Sequence, residues 1–390
     1  MIKLYALYDS LIMQMKTAYL AHVDERAQNN LPPLALNAEQ TQSVVENLIN
    51  GNDEAFYLDL LTHRVPPGVD EAAYVKASFL TSVAKGEQNC NAIDQKQATF
   101  LLGTMLGGYN ITPLIELLDI DETAQTACDA LSKTLLIYEA YQTVLEKSAD
   151  NSFAKKVVNA WANADWFIAK NELPTEIKLT VFRVQGEINT DDLSPATEAW
   201  SRPDIPLHAQ SMLIKTMDNP LETIAELKEK GLPLAFVGDV VGTGSSRKSA
   251  INSVLWHLGN DINYVPNKRG GGVVLGESIA PIFFNTAEDS GALPIECDVS
   301  KLNMGDEITI HPYEGKITNI QGDVVSTFEL APTTMPDEVR AGGRIPLIIG
   351  RGLTDRTRQD LDLPVSGLFL RPHDASESSA GFTLAQKIVG

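Results

Sequence analysis

The chain has 390 residues, enough for two or three domains with their own cores. Its 31 basic and 51 acidic residues leave a net charge of −20, negative in both halves, which excludes a broad basic surface for general nucleic-acid binding. Three well-separated cysteines, Cys90, Cys128 and Cys297, exclude a disulfide framework and a self-contained metal site, and no apolar run is long enough to cross a membrane.

Residues 1–14 lean apolar but have neither a basic start nor a small-residue cleavage site, so they read as a leader extension before Met15 rather than a signal peptide. From Met15 to Lys170 the apolar spacing is helical. Ser43–Asn50, Ala55–Thr62, Ala72–Ala84, Gln95–Met105, Thr123–Glu146 and Phe153–Lys170 read as amphipathic helices, punctuated at Pro66-Pro67-Gly68 and Gly107-Gly108. Short connections between helices that cannot bury a face alone predict a stack of paired helices over 15–170. Trp161, Trp166, Tyr138 and Tyr141 are expected in its core.

The period changes after Asn171–Thr175. Ile177, Leu179 and Val181 alternate with Lys178 and Thr180 as in a strand, and further strands are expected at Glu307–Ile310, Lys316–Thr318, Val324–Leu330 and Ile345–Ile349. Helical patterns at 208–230, 249–258 and 279–290 intervene, so 175–354 is predicted to be an α/β domain. Residues 355–390, charged and carrying Pro364 and Pro372, read as a tether, with the start of a helix at Phe382–Ile388.

One stretch in the α/β part promises chemistry. Pro233–Val237 reads as a buried strand, Gly238–Ser249 as a glycine-rich turn, and Ala250–Leu258 as a helix entered through serines. Such a turn leaves the first N–H groups of the helix unpaired at the positive end of its dipole, and with Arg247 alongside it suits an anion. Gly242–Ser249 matches the phosphate-loop pattern at every position but one, and Arg247 stands where the second glycine is needed, so a nucleotide phosphate is disfavoured. Asp191 and Asp192 read as part of an Asx-type turn before Pro195, and Lys268-Arg269 as a basic turn or a substrate contact. The six histidines show no metal-ligand spacing.

Gly244-Ser245-Ser246-Arg247 and Asn189-Thr190-Asp191-Asp192-Leu193-Ser194-Pro195-Ala196 resemble the two signatures of the aconitase swivel domain. Trp200-Ser201-Arg202-Pro203-Asp204, Val265-Pro266-Asn267-Lys268-Arg269-Gly270, Pro281–Thr286 and Arg340–Leu347 resemble the bacterial aconitase B branch, and the resemblance runs from Met15 to Gly390. It implies a multidomain chain: an all-α HEAT-like helical stack followed by an α/β swivel domain. It also implies a cytoplasmic lyase that interconverts citrate and isocitrate through cis-aconitate, and acts on 2-methylisocitrate. Ser245 would be the base, with Arg202, Ser246 and Arg247 binding substrate carboxylate. The family's 4Fe-4S cluster is carried by further catalytic domains, and none of the cysteines here falls on a matched cluster position. The resemblance therefore implies a partial enzyme that needs the cluster domains in cis or in trans, with a homodimer through the helical domain. The alternative is a stand-alone regulatory module binding protein or mRNA.

Overall fold

Two periodicities divide the molecule. The computed structural model describes residues 2–371, 381, 383 and 384, with side chains from residue 15 onward, so the helix start expected at Phe382–Ile388 lies essentially outside the described residues. The first half is helical: α1 (Ile2–Ala27), α2 (Ala38–Ile49), α3 (Glu54–His63), α4 (Glu71–Ala84), α5 (Gln95–Gly103), α6 (Ile111–Leu117), α7 (Ala124–Leu131), α8 (Ala140–Lys147), α9 (Ser152–Asn163) and α10 (Asp165–Ile168). Several helices begin where a short polar side chain can take an orphan N–H. Asn37 accepts from Gln40 N at 2.9 Å in a capping box, Asp94 from Gln97 N, and Asn151 from Phe153 N and Ala154 N. Their apolar stripes meet in one core that includes Leu48, Leu61, Leu80, Leu102, Val144 and Trp161.

Three of the longer helices expected from the sequence are interrupted. Thr123–Glu146 divides into α7 and α8 around Tyr138, which has φ +35° and is 66% exposed rather than in the core. Phe153–Lys170 divides at Ala164 (φ +58°), and the helix expected over 208–230 becomes two short helices separated by an irregular stretch ending at Asn219 (φ +48°). Left-handed residues other than glycine are rare, so a hydrophobic pattern running through them gives no warning of the break.

The second half is built on β1 (Ile177–Asn189), α11 (Thr190–Leu193), α12 (Ile205–Ala209), α13 (Pro220–Lys228), β2 (Leu234–Thr243), α14 (Arg247–Leu258), β3 (Asn260–Asp261), β4 (Arg269–Gly270), β5 (Val273–Ile279), α15 (Pro281–Asp289), β6 (Leu293–Glu296), β7 (Glu307–His311), β8 (Lys316–Asn319), β9 (Val324–Thr327), α16 (Met335–Ala341) and α17 (Arg344–Asp360). The main sheet has the order β6-β5-β2-β1-β7-β8-β9, parallel from β6 to β1 and antiparallel beyond. Side chains alternate between its faces: Phe182, Val184, Phe236 and Val241 enter the core under the helices, and Val181, Ala235 and Val237 the core opposite. β5 and β6 went unrecognised in the sequence because buried parallel strands lack polar alternation.

The strand expected at Ile345–Ile349 is the first turns of α17, and the helix continues through residues 355–360 of the expected tether. Its buried residues, Leu347, Gly350, Leu353, Thr354 and Thr357, follow a helical period that a five-residue window cannot show. α17 carries the chain back to the helical region. There Gly350 lies against the Trp166 indole, Trp166 Nε1 donates to Thr354 Oγ1 at 3.1 Å, and Tyr141 OH donates to Asp360 Oδ2 at 2.7 Å. A second junction is the paired hydrogen bond of Arg26 to Asp204, 2.6 and 3.1 Å. Among the described residues no helix is long and apolar enough to cross a membrane.

The helical core also encloses a cation. Lys76 is fully buried, its Nζ reaches only Thr62 O, at 3.5 Å, among the described residues, and burial lowers its pKa to about 8. The folded state therefore holds this proton less tightly than the unfolded chain, so Lys76 contributes a stability gain as pH rises from about 8 towards 10.5. Lys76→Met is expected to stabilise the chain at neutral pH by roughly 1–3 kcal/mol and to remove that alkaline gain. Denaturant titrations of both proteins at pH 7 and pH 9.5 check it; an equal difference at the two pH values refutes it.

Candidate functional site

Parallel pairing sets the site. β1 and β2 run side by side and end together, with Asn189 opposite Thr243, so the segments following both strands emerge at one edge of the sheet. The carboxyl edge of parallel strands is where α/β folds bind ligands. The Asn189 side chain accepts from Asp191 N at 2.9 Å, and the Asp192 carboxylate accepts from Asn189 N at 2.8 Å, which starts α11. Asp192 is thereby engaged with backbone, while Asp191 is exposed.

β2 leaves the sheet through Gly242 (φ +82°) and Gly244 (φ +104°). At Gly244 a Cβ would stand 2.5 Å from Thr190 Oγ1 and 2.6 Å from Asn189 Oδ1, so the two segments approach as closely as backbone allows. Ser246 N donates to Thr190 Oγ1 at 3.1 Å. α14 then begins with no side chain capping it, and the N–H groups of Arg247, Lys248 and Ser249 donate to no described protein group. The Ser246 hydroxyl accepts from Arg202 Nη2 at 3.0 Å instead. Ser245 is exposed on the turn.

The structure thus joins Arg202 to Ser246 and sets Ser245 beside them. Arg247 lines a separate cleft with Lys248 and Lys268. Lys268 and Arg269 part company: the Arg269 guanidinium lies 4.5 Å from the centre of the Trp256 ring and bonds Asp261 Oδ1 at 2.7 Å.

Beneath the turn lies a buried polar relay whose roles the sequence did not disclose. His208 Nδ1 is 2.8 Å from Ser201 Oγ and Nε2 is 2.8 Å from Ser194 Oγ, which is 2.7 Å from Ser249 Oγ. The Ser201 hydroxyl donates to Glu198 O and the Ser194 hydroxyl to Ser249 Oγ, so a neutral imidazole donates to one of these two serine oxygens, Ser201 Oγ or Ser194 Oγ, and accepts from neither. Burial first, then the charge of Arg202, lowers the His208 pKa and favours that neutral form. The relay ties the Ser194 segment to the first turn of α14 and fixes where Arg202 starts. Ser194, Ser201 and Ser249 stood inside legible motifs, but nothing in the sequence pointed to His208, which joins Ser194 to Ser201.

Since only glycine fits at 244, Gly244→Ala is expected to cost about 1–3 kcal/mol. Its amide shift changes should centre on residues 189–192 and 242–249. Thermal melts and two-dimensional NMR check this; an unperturbed melt and spectrum would contradict the close approach.

The family model described as "Aconitate hydratase 2 N-terminus" matches residues 179–382, and "Aconitate B N-terminal domain" matches residues 18–167. The chain is 61% identical over 380 residues to aconitate hydratase B of Synechocystis, covering 96% of this chain and 44% of that protein. It is 55% identical over 390 residues to aconitate hydratase B of Escherichia coli, covering 96% of this chain and 45% of that protein. The solved 3-isopropylmalate dehydratase (leuD) of Methanocaldococcus jannaschii aligns over 47% of this chain and 99% of its own, at 18% identity and a TM-score of 0.37, too low to bear on the fold. The chain spans somewhat under half the length of the curated relatives it matches. By both family models, which between them cover its helical and its α/β halves, the chain belongs to the aconitate hydratase B family and matches that family's N-terminal part.

Proposed function

We propose that this chain supplies the carboxylate-binding turn of a cytoplasmic aconitate hydratase acting on citrate and isocitrate. The observation that carries the reading is the meeting of Arg202 with Ser246 at the uncapped start of α14, beside the exposed Ser245. A carboxylate displacing the Arg202–Ser246 bond gains a guanidinium that can donate twice, a hydroxyl and the free N–H groups of the helix start. Ser245 is then placed to take a proton from a carbon next to that carboxylate. A serine hydroxyl is too weak a base unless its alkoxide is stabilised, and the same N–H groups and cations are the local source of that stabilisation.

The family's iron–sulfur cluster would act as the Lewis acid that accepts the departing hydroxyl. The residues described here do not fit it. Cys90 and Cys128 donate to Leu48 O and Phe153 O in the helical core, and Cys297 is buried in a sheet core with its thiol pKa pushed up by burial to about 11. No group of three or more His, Cys, Asp or Glu among the described residues could hold a metal. The dehydration thus requires cluster-bearing domains beyond these residues, joined in cis or supplied in trans. A homodimer, on this reading, uses the helical domain, where Val69, Tyr74 and Leu106 are exposed.

Citrate is expected to bind the 390-residue chain with a dissociation constant near 1 mM, about 4 kcal/mol, and to shift amides of 242–249. Arg202→Ala should weaken binding about tenfold, the value of a charge-assisted hydrogen bond. Unshifted amides at saturating citrate, or equal binding by the variant, would refute the site. Turnover of citrate and isocitrate by the purified chain should be undetectable, since loss of a Lewis acid forfeits several kcal/mol and each ~1.4 kcal/mol is tenfold in rate. Spectrophotometric assay after anaerobic treatment with iron and sulfide tests that.

A further inference from the structure

A cleft of about 400 Å³ lies between α14 and α15 on the flank of α14 that carries Arg247. Four cations line it: Arg247 and Lys248 from the first turn of α14, Lys268 from the loop before β4, and Arg344 from the start of α17. Its lone acidic residue is Asp289, which is already engaged by Arg344, at 2.9 Å to Nε and 3.1 Å to Nη2. Glu288, 2% exposed, lies 3.6 Å behind from Arg344 Nη1. Arg344 is thus held in place from below. Arg247, Lys248 and Lys268 have no ion pair or hydrogen bond among the described residues, and neither do the amide side chains of Asn252 and Asn285 on the walls.

In a chain with an excess of 20 acidic residues, three like charges left without a counter-charge around one concavity are physically conspicuous. Their repulsion is relieved by an anion, and several charges converging on one volume favour a multivalent anion over a monovalent one. The free N–H groups of Arg247 and Lys248 at the start of α14 add a weaker term of the same sign. The amides of Asn252 and Asn285 supply neutral donors that turn a charged surface into a shaped one.

We propose that this cleft is a second anion site, for a compact multivalent anion bearing clustered phosphate or carboxylate groups, bound by Lys248, Lys268, Arg344 and Asn285. Arg247 stands between it and the Ser245–Ser246 turn, so occupancy of the cleft bears on the side chain that the turn would use for substrate. The site does not depend on the aconitase reading, because Ser245, Ser246 and Arg202 do not line it.

Tripolyphosphate, citrate and acetate, titrated separately into the full chain and followed by NMR, test this. Tripolyphosphate, citrate or both should saturate shifts at Lys248, Lys268 and the Asn285 side-chain amide, and which of them does so identifies the anion class; acetate should not. Lys248→Gln/Lys268→Gln, at two exposed positions that fold need not notice, should weaken that binding about tenfold or more and flatten its salt dependence. Arg202→Ala should leave it unchanged while weakening any citrate shift at 242–246. Multivalent anions that shift only Ser245, Ser246 and Arg202, or that bind the double lysine variant as well as the parent, would overturn the cleft while leaving the turn intact. Saturation at the cleft with no effect at the turn would support the cleft and count against the turn.

Discussion

The parallel pairing of β1 with β2 is the constraint on which the site depends. Two parallel strands that pair from Thr180 opposite Leu234 and end together, Asn189 opposite Thr243, must deliver their following segments to the same edge. Everything above that edge is then a matter of close approach. Gly244 lets the second segment touch Thr190 and Asn189, and the Ser201–His208–Ser194–Ser249 relay locks the first turn of α14 to the loop that carries Arg202.

The electrostatics are local exceptions to a global rule. The chain as a whole repels anions, yet around the start of α14 three acidic side chains are engaged elsewhere: Asp192 on backbone N–H, Asp204 on Arg26, and Asp289 on Arg344. The cations at α14 are left without protein partners. Neutralising carboxylates within the fold, rather than adding many cations, makes a positive pocket in a negative protein.

The helical half meets the α/β half at several places with different physics, among them Asn267 on Pro33 O, Arg26 on Asp204, and α17 on Trp166. The Arg26–Asp204 pair is a nearly buried bidentate contact, and Asp204, two residues after Arg202, also accepts from Leu207 N in the first turn of α12. Movement at that junction is therefore felt at the loop that presents Arg202. At α17 apolar packing dominates: α17 lays Gly350 on Trp166, whose ring also stacks on Phe369 at 5.9 Å and donates to Thr354. There a side chain at position 350 would push the two elements apart.

The sequence by itself determined the change of period near Asn171, the strand–turn–helix at 234–258 and the motifs around Asn189 and Gly244, because each is written in adjacent residues with a fixed local geometry. Helices broken at Tyr138 and Ala164 escaped it, since a single left-handed residue leaves the apolar spacing intact. α17 escaped because five apolar-rich residues fit either period and only burial against Trp166 chose the helix. The partnership of Arg202 with Ser246, the relay through His208 and the cleft shared by Lys248, Lys268 and Arg344 join residues 7 to 96 positions apart. Such pairings carry no local signal; they exist only once the sheet order and its register have been set, and that was decided by tertiary packing.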